Sequence, residues 1–283
     1  MTRENPEEKN IPSRQMRSVE KQIELNAPIE AVWKTLTDPA ELVRWFPLEV
    51  KVTPGTGGSI YLSWGLDSEG TNTIDIWEPG KRLRWLEASP FSPKDAALES
   101  KEYLAVEWTL EARGGKTLLR LVHSGFVEGA DWKNEYYDAV KYGWKFMLTN
   151  LRVALERHAG VERRVAWPRR QVSIAREEAF RRLLSPGGLF REGVSESLRP
   201  GDRYSLHAAT GEKLSGRVEF VVPPRGFCIS VEEWNGALFW LTIEGEPGKY
   251  SVQLWLSAYG VPQERVAEFG RQWGHVLEGG MFQ

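Results

Sequence analysis

His123 is the one histidine of four that falls on the inward face of a strand, with Leu119 and Leu121 in "TLLRLVH". An imidazole placed there can orient a ligand or act as an acid or base near neutral pH. It can equally be a structural histidine, hydrogen-bonded near the strand end. Glu87 has the parity of Leu83 and Trp85 in "KRLRWLE". It either turns into the same interior, where with His123 it makes the best acid–base pair in the chain, or lies at a frayed strand end in water. His123 and Glu87, with a tyrosine as a further partner, are the catalytic candidates. His158, His207 and His275 are scattered along the sequence, so no metal site is expected. No Ser-His-Asp arrangement is present. "GTGG" lacks the Lys-Ser/Thr of a phosphate loop and sits between strands, which makes it a turn. No cofactor is expected.

A second group of residues points to binding. The chain holds 13 Trp, a residue that lines apolar cavities well and needs a partner for its indole N–H when buried. The inward set comprises Trp64, Ile76, Trp85, Val106, Trp108, Leu121 and His123 from strands. From a long helix it takes Tyr136, Val140, Trp144, Met147 and Leu148. Such a set either lines an apolar pocket carrying a few polar groups or fills a core.

These side chains need elements to hold them. Period-two spacing predicts a strand in "RSVEKQIELNAP", followed by a helix in "PIEAVWKTLT" and a short second helix from Asp38 through "DPAELVRWF". Strands follow in "LEVKV", "SIYLSW", "TNTIDIW", "KRLRWLE", "YLAVEWTL" and "TLLRLVH", with Ile74 and Ile76 on one face. Short Gly-containing turns join most of them, so the sheet is antiparallel; a Pro-rich loop, "SPFSPKDAALES", interrupts the series. A helix from about Asp131 to His158 repeats Tyr136, Val140, Gly143, Met147, Leu151 and Ala154 at helical spacing. "AGVERRVAWPRR" ends it and reads as a linker with a solvated basic face.

The pattern then recurs. Trp33, Leu36 and Leu42 match Phe180, Leu183 and Leu189; Ile60, Ile74, Pro79 and Trp85 match Tyr204, Val218, Pro223 and Ile229. Val106, Leu121 and Trp144 match Phe239, Leu254 and Trp273 in the same order. The second copy is shortened. Its counterparts of Glu87 and His123 are Val231 and Leu256, so any polar site belongs to the first copy. The expected fold class is α+β, with two tandem domains, each a curved antiparallel sheet wrapped on a long C-terminal helix. The division is a mobile tail at 1–15, domain 1 at 16–160, a linker at 161–170 and a shortened domain 2 at 171–283.

Bulk properties exclude other classes. The net charge of −2 carries no nucleic-acid footprint. No run approaches a membrane span, and the polar N-terminus has no signal core. The single cysteine, Cys228, forbids an internal disulfide and suits a cytoplasmic location.

The blocks "APIEAVWKTLTDPAELVRWF", "GGSIYL", "IDIWEPGKRLRW", "VEWTLEARGGKTLLRLVHSGF" and "GWKFMLTNLRVALE" occur in order over residues 17–157. This resembles the START-like helix-grip (SRPBCC) superfamily, and within it the C-terminal domain family of the heat-shock-protein-ninety ATPase activator. The resemblance implies a sheet of six or seven strands around a long helix. It also implies binding of lipids, hormones or other hydrophobic molecules, with some members acting as cyclases. The expected function is binding of a hydrophobic small molecule in the domain 1 cavity, with domain 2 structural or interaction-forming. A cyclase or hydrolase acting through His123 and a chaperone-accessory module are the alternatives; binding is preferred to catalysis.

Overall fold

Alternating apolar residues fold the first half into β1 (Met16–Leu25), β2 (Glu49–Thr53), β3 (Ser59–Ser63), β4 (Glu69–Glu78), β5 (Arg82–Ala88), β6 (Tyr103–Arg113) and β7 (Lys116–Val127). The computed structural model describes residues 16–65, 68–88, 103–129, 131–195 and 197–282. The tail at 1–15 and the Pro-rich loop at 89–100 lie outside the described residues. The seven strands form one antiparallel sheet in the order β1-β7-β6-β5-β4-β3-β2. Gly114 and Gly115, at φ +56° and +84°, make the two-residue turn between β6 and β7 that a right-twisted hairpin requires.

Helix α1 (Ile29–Thr37) and helix α2 (Pro39–Leu42) connect β1 to β2. Asp38 accepts a hydrogen bond from the Ala40 N–H at 2.9 Å, and Pro39 occupies the first turn of α2, where its missing N–H costs nothing. Helix α3 (Asp131–Arg157) then lies against the sheet.

One inward assignment changes. Ile74 pairs with Trp85, but Ile76 pairs with Arg84 across a bulge at Asp75. The extra residue reverses the side-chain alternation beyond it. Ile76 therefore leaves the inward set. Trp77, opposite Leu83, replaces it and meets Trp33 edge-on at 5.4 Å. The bulge is tied by Arg84, which donates to Asp75 at 2.5–3.1 Å.

The second half forms β8 (Arg163–Ala166), β9 (Arg169–Val172), α4 (Arg176–Leu184), β10 (Arg203–His207), β11 (Lys213–Val222), β12 (Gly226–Val231), β13 (Ala237–Glu246), β14 (Lys249–Tyr259) and α5 (Gln263–Glu278). The order is β10-β11-β12-β13-β14-β8, with β9 also paired to β14. The segment expected as a linker, 161–170, thus carries strands. β8 and β9 are the counterpart of β1, split where Trp167-Pro168 interrupts the ladder, since proline has no N–H to donate. Of its four arginines only Arg169, which lies over the Trp167 ring, is exposed. Arg163 is buried, Arg164 donates to the Val261 carbonyl, and Arg170 donates to the carbonyls of Leu277 and Gly279 at the end of α5. A cation there complements the negative helix end.

The two domains share a core. One face of α3 meets its own sheet. The other presents Tyr142 and Phe146 to the outer face of the second sheet. Phe146 stacks on Trp240 at 4.3 Å and 13°, and Tyr142 donates to the Leu241 carbonyl at 2.9 Å. α3 carries apolar residues on two faces, and the second sheet covers the second of them. Glu135 of α3 is clasped by Arg176 at 2.6 Å and by Arg225 at 2.6 and 3.0 Å, which pins the junction.

Candidate functional site

Strands β5, β6 and β7 and helix α3 bring most of the expected site residues together. Trp85, Val106, Trp108, Leu121, His123, Trp144, Met147 and Leu148 are buried; the apolar members belong to one cluster, and Trp64, Tyr136 and Val140 are half-buried against it. The aromatic members touch. Trp108 lies 5.4 Å from Trp144 and 6.3 Å from Trp85. Trp45 and Phe46, from the turn after α2, press in behind them: Phe46 stacks on Trp144 at 5.2 Å, and Trp45 meets Trp108 edge-on at 6.1 Å. These two rings were absent from the inward set expected from sequence. They follow a short helix rather than a strand, so strand parity does not select them.

Within this packed interior sits a polar cluster. His123 Nδ1 accepts the Trp144 Nε1–H at 3.0 Å. That bond places the imidazole proton on Nε2. Nε2 lies 3.8 Å from Glu87 Oε2, beyond hydrogen-bond reach, and has no partner among the described residues; nor has Trp108 Nε1. Glu87 Oε1 accepts the Trp85 Nε1–H at 2.9 Å, and the Glu87 side chain is a quarter exposed. Burial raises the Glu87 pKa, pulls His123 down to about 3, and, with the nearby Glu87 charge, pushes Tyr136 up to about 12. Of the two placements that strand parity leaves open to Glu87, the structure has the one beside His123. At neutral pH, however, this imidazole is a neutral N–H donor and too weak a base to take a proton.

Open space lies in the other domain. A cavity of about 920 Å³ opens between α4, residues 185–195 with Leu198, and strands β10 to β12. Phe180, Leu184, Leu206, Val218, Val221 and Ile229 supply apolar wall; Glu177, Arg181 and Glu192 supply polar groups. The Tyr204 hydroxyl, also in the wall, donates to the Ser230 carbonyl at 2.9 Å. The sequence explains the space. In the register that matches Leu42 to Leu189, the two plugging rings Trp45 and Phe46 fall opposite Glu192 and Gly193, and Trp85 falls opposite Ile229. Glu192, Gly193 and Ile229 all line the cavity. Where the first sheet has β2, the described residues of the second domain have only an isolated bridge, Phe190 to Ala208. Among the described residues no group of His, Cys, Asp and Glu could hold a metal, and no helix is long and apolar enough to cross a membrane.

Comparisons place the first domain. The family model "Activator of Hsp90 ATPase homolog 1-like protein" matches residues 26–156. No curated protein matches the chain. Solved structures similar to it include the Aha1 dimer from Colwellia psychrerythraea, at 21% identity over 51% of this chain and 99% of that one, TM-score 0.43. CalU16 from Micromonospora echinospora is 28% identical over 50% of this chain and 77% of its own, TM-score 0.38. The di-domain ARO/CYC BexL from the BE-7585A biosynthetic pathway is 15% identical over 94% of this chain and 96% of its own, TM-score 0.42. Residues 26–156, which hold strands β2 to β7 and nearly all of helix α3, are thus similar to the Activator of Hsp90 ATPase homolog 1-like family.

Proposed function

We propose that this is a binding protein for a hydrophobic small molecule, and that the molecule sits in the second domain. The observation that carries this reading is the cavity of about 920 Å³ beneath α4, a volume suited to a small organic ligand, with apolar walls and few polar groups. Domain 1, at 16–160, was the expected container; with Trp45 and Phe46 seated against Trp108 and Trp144, its role is instead a packed support. The same logic lowers the enzymatic alternative. His123 is held neutral and hydrogen-bonded to Trp144, which suits a positioned donor rather than a general base. A cytoplasmic location remains part of the proposal, in keeping with the single buried thiol of Cys228.

Titration with Nile red, an apolar fluorescent probe, tests the site. Leu184→Trp and Val221→Trp add bulk at half-buried wall positions and should each weaken binding by about tenfold, or ~1.4 kcal/mol. Trp108→Phe should leave it within about twofold. The reverse pattern would move the site to domain 1. No binding by the wild-type chain would remove the proposal.

A further inference from the structure

Arg163 is a buried cation without an anion. It lies on β8 at the domain junction, only 8% exposed. One arm, Nη2, donates to the Pro47 carbonyl at 2.5 Å. The guanidinium carbon sits 6.0 Å from the centre of the Trp255 ring. Nη1 has no acceptor, and no carboxylate lies within 4.0 Å among the described residues. Burial lowers its pKa to about 10, which leaves it charged at neutral pH. A carbonyl and an aromatic face are poor compensation for a desolvated charge, which proteins ordinarily pair with an anion.

The surroundings supply a place for one. Arg163 lines a second cavity, of about 590 Å³, between the α2 region and β8. Its wall also holds Arg44 and Arg164, against Glu41 and Glu162. The two glutamates do not serve Arg163. Glu41 pairs with Arg44 at 2.5 Å, and Glu162 pairs with Arg164 at 3.4 Å in an exposed, weak contact. Arg44 is otherwise committed to the carbonyls of Val161 and His158. Three arginines against two carboxylates leave an excess positive charge, and the donor left over is Arg163 Nη1.

We propose that this junction cavity is a binding site for a small oxyanion, a carboxylate or a phosphate, held by Arg163 with Arg164 at its rim. Arginine suits both through its planar fork of N–H donors. The site is separate from the apolar cavity beneath α4 and does not depend on it. Since it joins the α2 region of the first domain to β8 of the second, an anion there would tighten the junction.

The full chain tests this, with inorganic phosphate and acetate as probes against chloride at matched ionic strength. Thermal unfolding should shift upward in a saturable way with at least one of the two. Phosphate alone assigns a phosphate site, and acetate alone a carboxylate site. Arg163→Gln should weaken the response by about thirtyfold, the cost of deleting one member of a buried charge pair. Should that variant fail to fold, Arg164→Gln, which spares the buried group, should weaken it by about threefold. A wild-type chain that answers to neither anion beyond chloride would overturn the proposal. So would an Arg163→Gln chain that answers as wild type does, or an unaltered response in Arg164→Gln where only that variant folds.

Discussion

His123 shows how far a single residue can be read. Its inward face follows from strand parity, which leaves open whether Glu87 turns in beside it or lies in water. Its charge state does not, because that depends on Trp144, whose indole N–H arrives from α3 and fixes the proton on Nε2. The folded pKa of about 3 lies below the ordinary 6.5. The unfolded chain therefore binds the proton first, and the stability tied to this group is complete above pH 6.5 and falls as pH drops toward 3. Urea denaturation at pH 7 and pH 5 should show the wild type losing about 2 kcal/mol more than His123→Gln over that interval, as expected for one proton taken up by the unfolded chain alone. Equal losses would mean that His123 is charged or solvated. Glu87 has the opposite sign, since its raised pKa makes stability fall as pH rises above the ordinary carboxylate range, and it stays in place in both proteins.

At the scale of elements, hairpins and helices were legible wherever one face is buried, because alternation and helical spacing record that asymmetry. Three features were not. The bulge at Asp75 has no composition of its own, so period-two spacing selects Ile76 in place of Trp77. β8 and β9 read as a linker because three of their four arginines bond to backbone carbonyls, a use of charge that a sequence does not distinguish from solvation. The stacking of the second sheet on α3 left a trace that strand parity alone does not interpret. "GFCISV" and "ALFWLTI" are continuous apolar runs, the mark of strands covered on both faces. The clasp at Glu135 belongs to this interface. Glu135→Gln leaves the largely buried Arg176 and Arg225 without their shared carboxylate. Chemical denaturation followed by circular dichroism should show a loss of about 3 kcal/mol. A change below about 0.5 kcal/mol would mark the clasp as an ordinary surface pair.

For the whole molecule, one fold written twice has been filled in two ways. The first copy closes on Trp45, Phe46, Trp85, Trp108 and Trp144. The second, with Glu192, Gly193 and Ile229 at three of the matching positions, is left open beneath α4. The repeat itself was legible in the ordered matches, but the location of the space was not. Large aromatics read either as a pocket lining or as core, and the mutual contacts of the first copy's rings favour core. Photolabelling with an apolar diazirine probe, followed by peptide mapping, locates the binding site directly. Adducts should fall within residues 177–229, on α4, the following loop and β10 to β12. Adducts confined to β5 to β7 and α3, between residues 82 and 157, would show that the first domain opens to ligand and that the second is only its support.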